Sequence, residues 1–314
     1  MFSITCGVPQ GSVLGPLLFI IYTNDLPGSL RCTTCILFAD DTTIYVSGRN
    51  IKELYKLVNE DIESLAEWFK VNKLSLNISK THHVLFSKVK DINTDIYELK
   101  LDNNVIGRVK CVKFLGLLID ENLNWHEHIN SCKSKMSSGL YALNRVKHIL
   151  SINNMRTLYH SLIYPYLTYG TLLWGSSHST HLRRLEILQK KAIRTISKTN
   201  YNAHTESLFK SLHILKLNDI FNLQLSKLMH SYMNHSLPDP LMSMFTINRN
   251  IHLYETRHQH QPHILHRKTA FISKTFIHQA PEAWYKLPEK IRQLRSRNSF
   301  NKHIKKYLTN CYNT

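Results

Sequence analysis

Asp40 and Asp41 are the residues best placed to do chemistry. They stand side by side between two short β-type runs, Cys35-Ile36-Leu37-Phe38 and Thr42-Thr43-Ile44-Tyr45-Val46, a pattern that predicts a hairpin with both acids at its tip. Two like charges this close repel, and the apolar strands offer no counter-charge. Something positive is expected there. Magnesium suits the pair, because it takes hard oxygen ligands and usually binds through one or two carboxylates plus substrate phosphates. Taken alone, the pair also reads as an ordinary turn with two solvated aspartates.

Other clusters point less sharply. Cys32-x-x-Cys35 has metal-ligand spacing, but no second Cys or His pair follows at finger distance, so two buried thiols leading into the hairpin are expected. His258, His260, His263 and His266 have only Glu255 as a nearby acid, and a basic loop facing nucleic acid is expected over a metal cluster. Lys133, Lys135, Arg145, Lys147 and His148 fall on one predicted helix, and Arg183, Arg184, Lys190, Lys191 and Arg194 on another. Both could track a phosphate backbone, with solvated helix faces as the alternative. No phosphate-binding G-x-x-x-x-G-K-[ST], hydrolase G-x-S-x-G or zinc-protease H-E-x-x-H is present, nor an acidic constellation of the RNase H kind.

The elements that must position these groups are legible from periodicity. Gly7-Val8-Pro9-Gln10-Gly11 reads as a loop; Leu14, Leu17, Leu18 and Ile21 then repeat at helical spacing, with Ser12 as the expected cap and Pro16 in the first turn. Ile51, Leu54, Tyr55, Val58, Ile62, Leu65 and Phe69 step by three and four, which predicts an amphipathic helix of about five turns capped by Asn50. Strands are expected at 99–101 and 105–112 around an Asp102-Asn103-Asn104 turn. Beyond Trp125 the period is helical almost throughout, broken at Pro238 and Pro240 and by the His-rich loop 252–266. The reading is α+β, divided into 1–124, a helical region 125–236 and a basic, mainly helical region 237–314.

Composition narrows the partners. Forty Lys plus Arg against 22 Asp plus Glu give a formal charge of +18, which favours a polyanion, nucleic acid before an anionic membrane surface. The longest nearly apolar run, 13–22, is about half the roughly 20 residues a membrane-spanning helix needs. The first residues have no basic, cleavable leader pattern, so an intracellular protein of the nucleus or cytoplasm is expected, with no membrane association and reduced cysteines.

Four motifs in order carry a resemblance. Gly7-Val8-Pro9-Gln10-Gly11-Ser12-Val13-Leu14-Gly15-Pro16-Leu17-Leu18-Phe19 and, about twenty residues later, Phe38-Ala39-Asp40-Asp41 resemble motifs B and C of the reverse transcriptases of non-LTR, LINE-type retrotransposons. Asn72-Lys73-Leu74-Ser75-Leu76-Asn77 through Lys80-Thr81 is similar to motif D, and Phe114-Leu115-Gly116 to motif E. The later stretches Tyr159 to Pro165, Tyr169-Gly170 to Trp174-Gly175 and Leu188 to Arg194 resemble the thumb and tail of jockey-like and CR1-like elements.

The resemblance implies RNA-directed DNA synthesis, a nucleotidyl transfer, on a truncated palm followed by a helical thumb and a C-terminal domain. The implied partners are an RNA template, a DNA primer and dNTPs, with Mg²⁺ as cofactor; protein partners are not implied. Asp40 would coordinate the metal ions and Asp41 would support the site. Phe38 and Ala39 would form the floor under the primer end, and Gln10 and Gly11 would line the nucleotide pocket. Lys80 would be general acid toward pyrophosphate, with a solvated lysine as the alternative. Phe114, Leu115 and Gly116 would grip the primer. The family's motif A aspartate, which bridges both metal ions, is expected before Met1, so the chain by itself is expected to be a defective polymerase. The rival expectation is a non-catalytic, nucleic-acid-binding remnant of such an element.

Overall fold

The structure is a computed structural model that describes residues 8, 11–87, 89, 96–102, 104–251, 258–266 and 269–312. It mixes many helices with small two-stranded sheets, an α+β composition. The chain divides into two compact units between Val112 and Lys113.

In the first unit, α1 (Gly15–Tyr22) starts after Leu14 with Pro16 in its first turn, and no side chain caps it. Ser12 therefore does not cap this helix: it lies two residues before the flanking position, out of reach of the first free N–H groups. Strands β1 (Thr34–Phe38) and β2 (Asp41–Tyr45) form an antiparallel hairpin. They are followed by α2 (Ile51–Val71), where Asn50 Oδ1 accepts the Lys52 N–H at 3.0 Å, as expected of a cap. Tyr55, Ile62 and Leu65 of α2 are buried, and Tyr55 and Ile62 pack with Leu99, Leu101 and Ile106.

The strand expected over 105–112 is broken. β3 (His82–His83) is followed by β4 (Lys100–Leu101), β5 (Asn104–Val105), β6 (Gly107–Arg108) and β7 (Cys111–Phe114). β5 pairs with β4 and β6 pairs in parallel with β3, while the buried Ile106 between them donates its N–H to Leu99 at 2.8 Å. One segment thus serves two partners in succession, and the change of partner ends the regular run. Asp102, at the β4–β5 turn, has φ +46; Asn103 lies outside the described residues.

The second unit begins at Lys113, within β7, and the β7–β8 hairpin (β8, Leu117–Asp120) is a two-stranded sheet. It continues as α3 (His126–Val146), α4 (Ile152–Leu162), α5 (Tyr164–Thr168), α6 (Thr171–Trp174), α7 (Ser179–Ser197), α8 (Glu206–Ser211) and α9 (Leu217–Met233). Beyond Pro238 come α10 (Asp239–Met242), α11 (Ala270–Ser273), α12 (Phe276–Tyr285), α13 (Glu289–Arg292) and α14 (Arg297–Asn310). Met136, Tyr159, Trp174, Leu185, Met229, Trp284 and Phe300 belong to one continuous core. Gln189 crosses it: its amide N–H groups donate to the Tyr159 hydroxyl and the Leu215 carbonyl, both at 2.9 Å, and its oxygen accepts the Leu217 N–H at 3.0 Å. That satisfies a buried amide completely enough to fix α4, α7 and α9 to one another.

Candidate catalytic hairpin and nucleic-acid surface

The hairpin turn is two residues long, Ala39 and Asp40, because Phe38 pairs with Asp41. Ala39 has φ +51 and Asp40 does not share the positive sign, the sign pattern of a type II′ turn, which suits the twist of a tight hairpin. The two acids are therefore not equivalent: Asp40 is in the loop, and Asp41 is the first residue of β2. Directly paired residues share a sheet face. Asp41 thus lies on the face of Phe38, Ile36 and Tyr45, and all four side chains are exposed, Phe38 at 60%.

Both carboxylates are exposed, and with the described residues neither makes a side-chain hydrogen bond or an ion pair. Two unengaged carboxylates at a two-residue turn are hard oxygen donors of the kind a Mg²⁺ ion takes. Among the described residues no third His, Cys, Asp or Glu joins them in a metal-binding group.

α2 holds the base of this hairpin. Asp61 is 1% exposed on its inner face, and its carboxylate accepts the N–H groups of Arg31, Cys32 and Thr33 at 3.0, 3.0 and 2.7 Å and the Thr33 hydroxyl at 2.7 Å. Burial alone would raise its pKa, but the hydrogen bonds from Arg31, Thr33 and Cys32 outweigh burial and hold it below the usual aspartate value. The segment leading into β1 is thereby pinned to the helix that follows β2. A signal existed in the sequence, since Asp61 interrupts the apolar stripe of α2 between Val58 and Leu65.

The other expected site residues are on separate elements. Gly11 has φ +83 and no described atom within 4 Å of where a Cβ would lie, so within the chain its need for glycine is conformational; Gln10 lies outside the described residues. Lys80 is exposed at the end of a 3₁₀ turn, Ile78–Lys80, tied by the Thr81 hydroxyl and the Lys80 N–H to the Asn77 carbonyl at 3.0 and 3.1 Å. Phe114 ends β7, and Leu115 and Gly116 form a two-residue turn with φ +45 and +84, both positive as in a type I′ hairpin.

The cysteines correct one expectation. Cys32 and Cys35 are free and half-buried rather than buried, because the two-stranded hairpin has one face only partly covered. Burial still raises the Cys35 thiol, and pushes that of Cys132 up to about 11, which keeps both protonated and unreactive. In the His-rich stretch, 252–257 lie outside the described residues. His263 bonds Asn248 Oδ1 at 3.0 Å, His258 packs edge-on to Tyr285, and His260 and His266 are exposed.

The second unit offers a basic surface. α3 and α7 pack side by side, joined by Arg184 to Asn130 and by Thr195 to Asn144, both at 3.3 Å. Lys133, Lys135, Arg145, Arg183, Arg184, Lys190 and Lys191 are exposed along them, together with Tyr141. Three members of the expected sets differ. Lys147 and His148 lie past the end of α3, and Arg194 is half-buried, spending its Nε on the Ala203 carbonyl at 2.9 Å. No helix among the described residues is long and apolar enough to cross a membrane.

Residues 1–119 match the family described as reverse transcriptase (RNA-dependent DNA polymerase). The chain is 26% identical over 235 residues to the probable RNA-directed DNA polymerase from transposon X-element of Drosophila melanogaster, covering 72% of this chain and 25% of that protein. It is 27% identical over 226 residues to the RNA-directed DNA polymerase from mobile element jockey of Drosophila funebris, covering 69% and 24%. With the retrovirus-related Pol polyprotein from type-1 retrotransposable element R1 2 of Nasonia vitripennis it shares 31% over 147 residues, 45% of this chain and 35% of that protein. The chain spans about a quarter of the length of the X-element and jockey proteins. No solved structure matches it. Residues 1–119 thus match the reverse transcriptase family, and over about two thirds of its length the chain is similar to RNA-directed DNA polymerases of non-LTR, LINE-type retroelements.

Proposed function

We propose that the chain is the part of an RNA-directed DNA polymerase that carries the catalytic hairpin, a partial palm over 1–124, followed by a thumb-like region over 125–236 and a basic C-terminal region over 237–314. The observation that carries this reading is the two-residue turn that sets Asp40 in the loop and Asp41 opposite Phe38, with both carboxylates exposed and unengaged among the described residues.

In this reading Asp40 and Asp41 hold Mg²⁺, Phe38 and Ala39 support the primer end, and Gln10 and Gly11 line the nucleotide pocket. Lys80 delivers a proton to the departing pyrophosphate, and Phe114, Leu115 and Gly116 contact the primer. The bound metal ions would lower the cost of forming the 3′-oxygen nucleophile and offset charge on the leaving oxygens of an in-line displacement. RNA template, DNA primer and dNTPs are the substrates and partners.

Each Mg²⁺ requires near-octahedral oxygen coordination, more than two neighbouring carboxylates provide. In this reading water and substrate phosphates fill part of that coordination, the family's motif A aspartate supplies a further carboxylate, and residues 1–314 by themselves do not extend a primer. Exposure of Leu17, Leu18, Ile20 and Ile21 on α1 supports this, since a contiguous apolar surface of that kind is normally covered by a partner segment. A second reading, nucleic-acid binding without chemistry, is favoured by the basic α3–α7 surface alone.

The test is Asp40→Asn in a polymerase assembled from this chain and an N-terminal segment supplying motif A. Primer extension is expected to fall by several orders of magnitude as a metal ligand loses its charge. Near-normal extension would refute the assignment.

A further inference from the structure

Tyr169-Gly170 and Trp174-Gly175 stand out in the sequence, yet none of the four has a part in the chemistry proposed above. Their neighbours give them one. The Tyr169 hydroxyl donates to the Leu115 carbonyl, in the turn between β7 and β8. Its ring lies against Gly116, where a Cβ would meet the ring at 3.4 Å, while the side chain stays 56% exposed. At Gly170 a Cβ would come within 2.7 Å of Leu117, the first residue of β8. The backbone of 169–170 therefore runs directly against the hairpin.

Tyr169 is itself anchored. Its carbonyl accepts the Trp174 indole N–H at 2.8 Å, and Trp174 is fully buried. A connected path thus runs from the core through Trp174 and Tyr169 to the turn. The turn needs such support, because Leu115 sits at φ +45, which a γ-branched L-residue adopts rarely. Fixing the Leu115 carbonyl also fixes the plane of the peptide it shares with Gly116, and directs the Gly116 N–H to the opposite side.

We infer that Tyr169 is a positioning residue for the 114–116 turn, holding the Leu115–Gly116 peptide in the orientation in which the turn meets the nucleic-acid backbone. The inference rests on the reading of 114–116 as a primer contact. The exposed Tyr169 ring borders the same surface.

The test compares the full chain with its Tyr169→Phe and Phe114→Ala variants. Three measurements are made: thermal melting, amide hydrogen exchange over 115–118, and anisotropy binding of a DNA primer on an RNA template with a recessed 3′ end, beside the matching blunt duplex. Tyr169→Phe is expected to melt near wild type, to speed exchange in the turn by roughly five- to tenfold, the equilibrium weight of one hydrogen bond, and to lose preference for the recessed end. Unchanged exchange overturns the inference. So does a large drop in melting, or an equal loss on both duplexes, since a general packing defect gives those results. If exchange rises but the preference survives in Tyr169→Phe and is lost in Phe114→Ala, the turn contacts primer and Tyr169 does not position it. If Phe114→Ala also keeps the preference, the primer reading of the turn fails and the positioning role falls with it.

Discussion

Asp61 Oδ2 accepts the Thr33 N–H at 2.7 Å, joining the middle of α2 to the residue before β1 across 28 positions of sequence. With its bonds to Arg31 and Cys32 this buried carboxylate fixes the base of the hairpin whose far end carries Asp40 and Asp41. Asp61→Asn replaces one acceptor by an NH₂ group facing backbone donors, and a loss of about 3 kcal/mol is expected from charge-assisted bonds of this kind. The pH dependence has a definite sign. The folded pKa lies below the unfolded one, so the stabilisation is present above the ordinary aspartate value of about 4 and is lost as pH falls through the folded value. Urea denaturation of wild type and Asp61→Asn from neutral to acid pH should show the gap between them closing on the acid side. A constant gap would mean that the charge of Asp61 contributes nothing.

Lys80→Ala, in the polymerase completed with motif A, is expected to slow nucleotide addition by roughly 10² to 10⁴, the usual range for a general acid, with primer binding nearly intact. Pre-steady-state kinetics separates the two effects. A defect confined to binding would return Lys80, which is exposed on its 3₁₀ turn, to the role of a solvated lysine.

The chain by itself should bind RNA and primer–template duplex and fail to extend a primer supplied with Mg²⁺ and dNTPs. Its +18 charge predicts affinity that falls steeply with salt, by a logarithmic slope of about 0.9 for each duplex phosphate contacted. Replacing Lys133, Arg184 or Lys191 by Gln should reduce the slope by about one unit each if the α3–α7 surface meets phosphates. Robust extension would show that some residue of this chain supplies the third carboxylate. Salt-independent binding would dismiss the nucleic-acid reading of the charge.

Gln189→Leu should destabilise the second unit by about 3 kcal/mol, because it strands the Leu215 carbonyl, the Leu217 N–H and the Tyr159 hydroxyl in the core. Thermal melting should fall by roughly 2 to 4 °C for each kcal/mol lost in a unit of this size. An unchanged midpoint would indicate that these groups find other partners.

What the sequence alone determined about this protein is mostly local. The apolar steps from Ile51 to Phe69 became α2, Asn50 became its cap, and the two β-type runs around Asp40 and Asp41 became a hairpin, because helix and strand periods are properties of neighbouring residues. The four motifs carried the resemblance to the reverse transcriptases for the same reason: spacing and residue type survive without coordinates. Tertiary structure decided what depends on distant partners. That Asp40 is in the turn while Asp41 is paired follows from the strand register, and the broken strand at 105–112 follows from a change of partner at Ile106. Asp61 was visible as an acid in an apolar stripe, but its three amide donors lie 28 to 30 residues away. Tyr169 and Leu115 are 54 residues apart, and no periodicity links them. Such contacts arise only when whole elements pack, since the burial that makes a hydrogen bond decisive is created by the fold and not by the residues on either side.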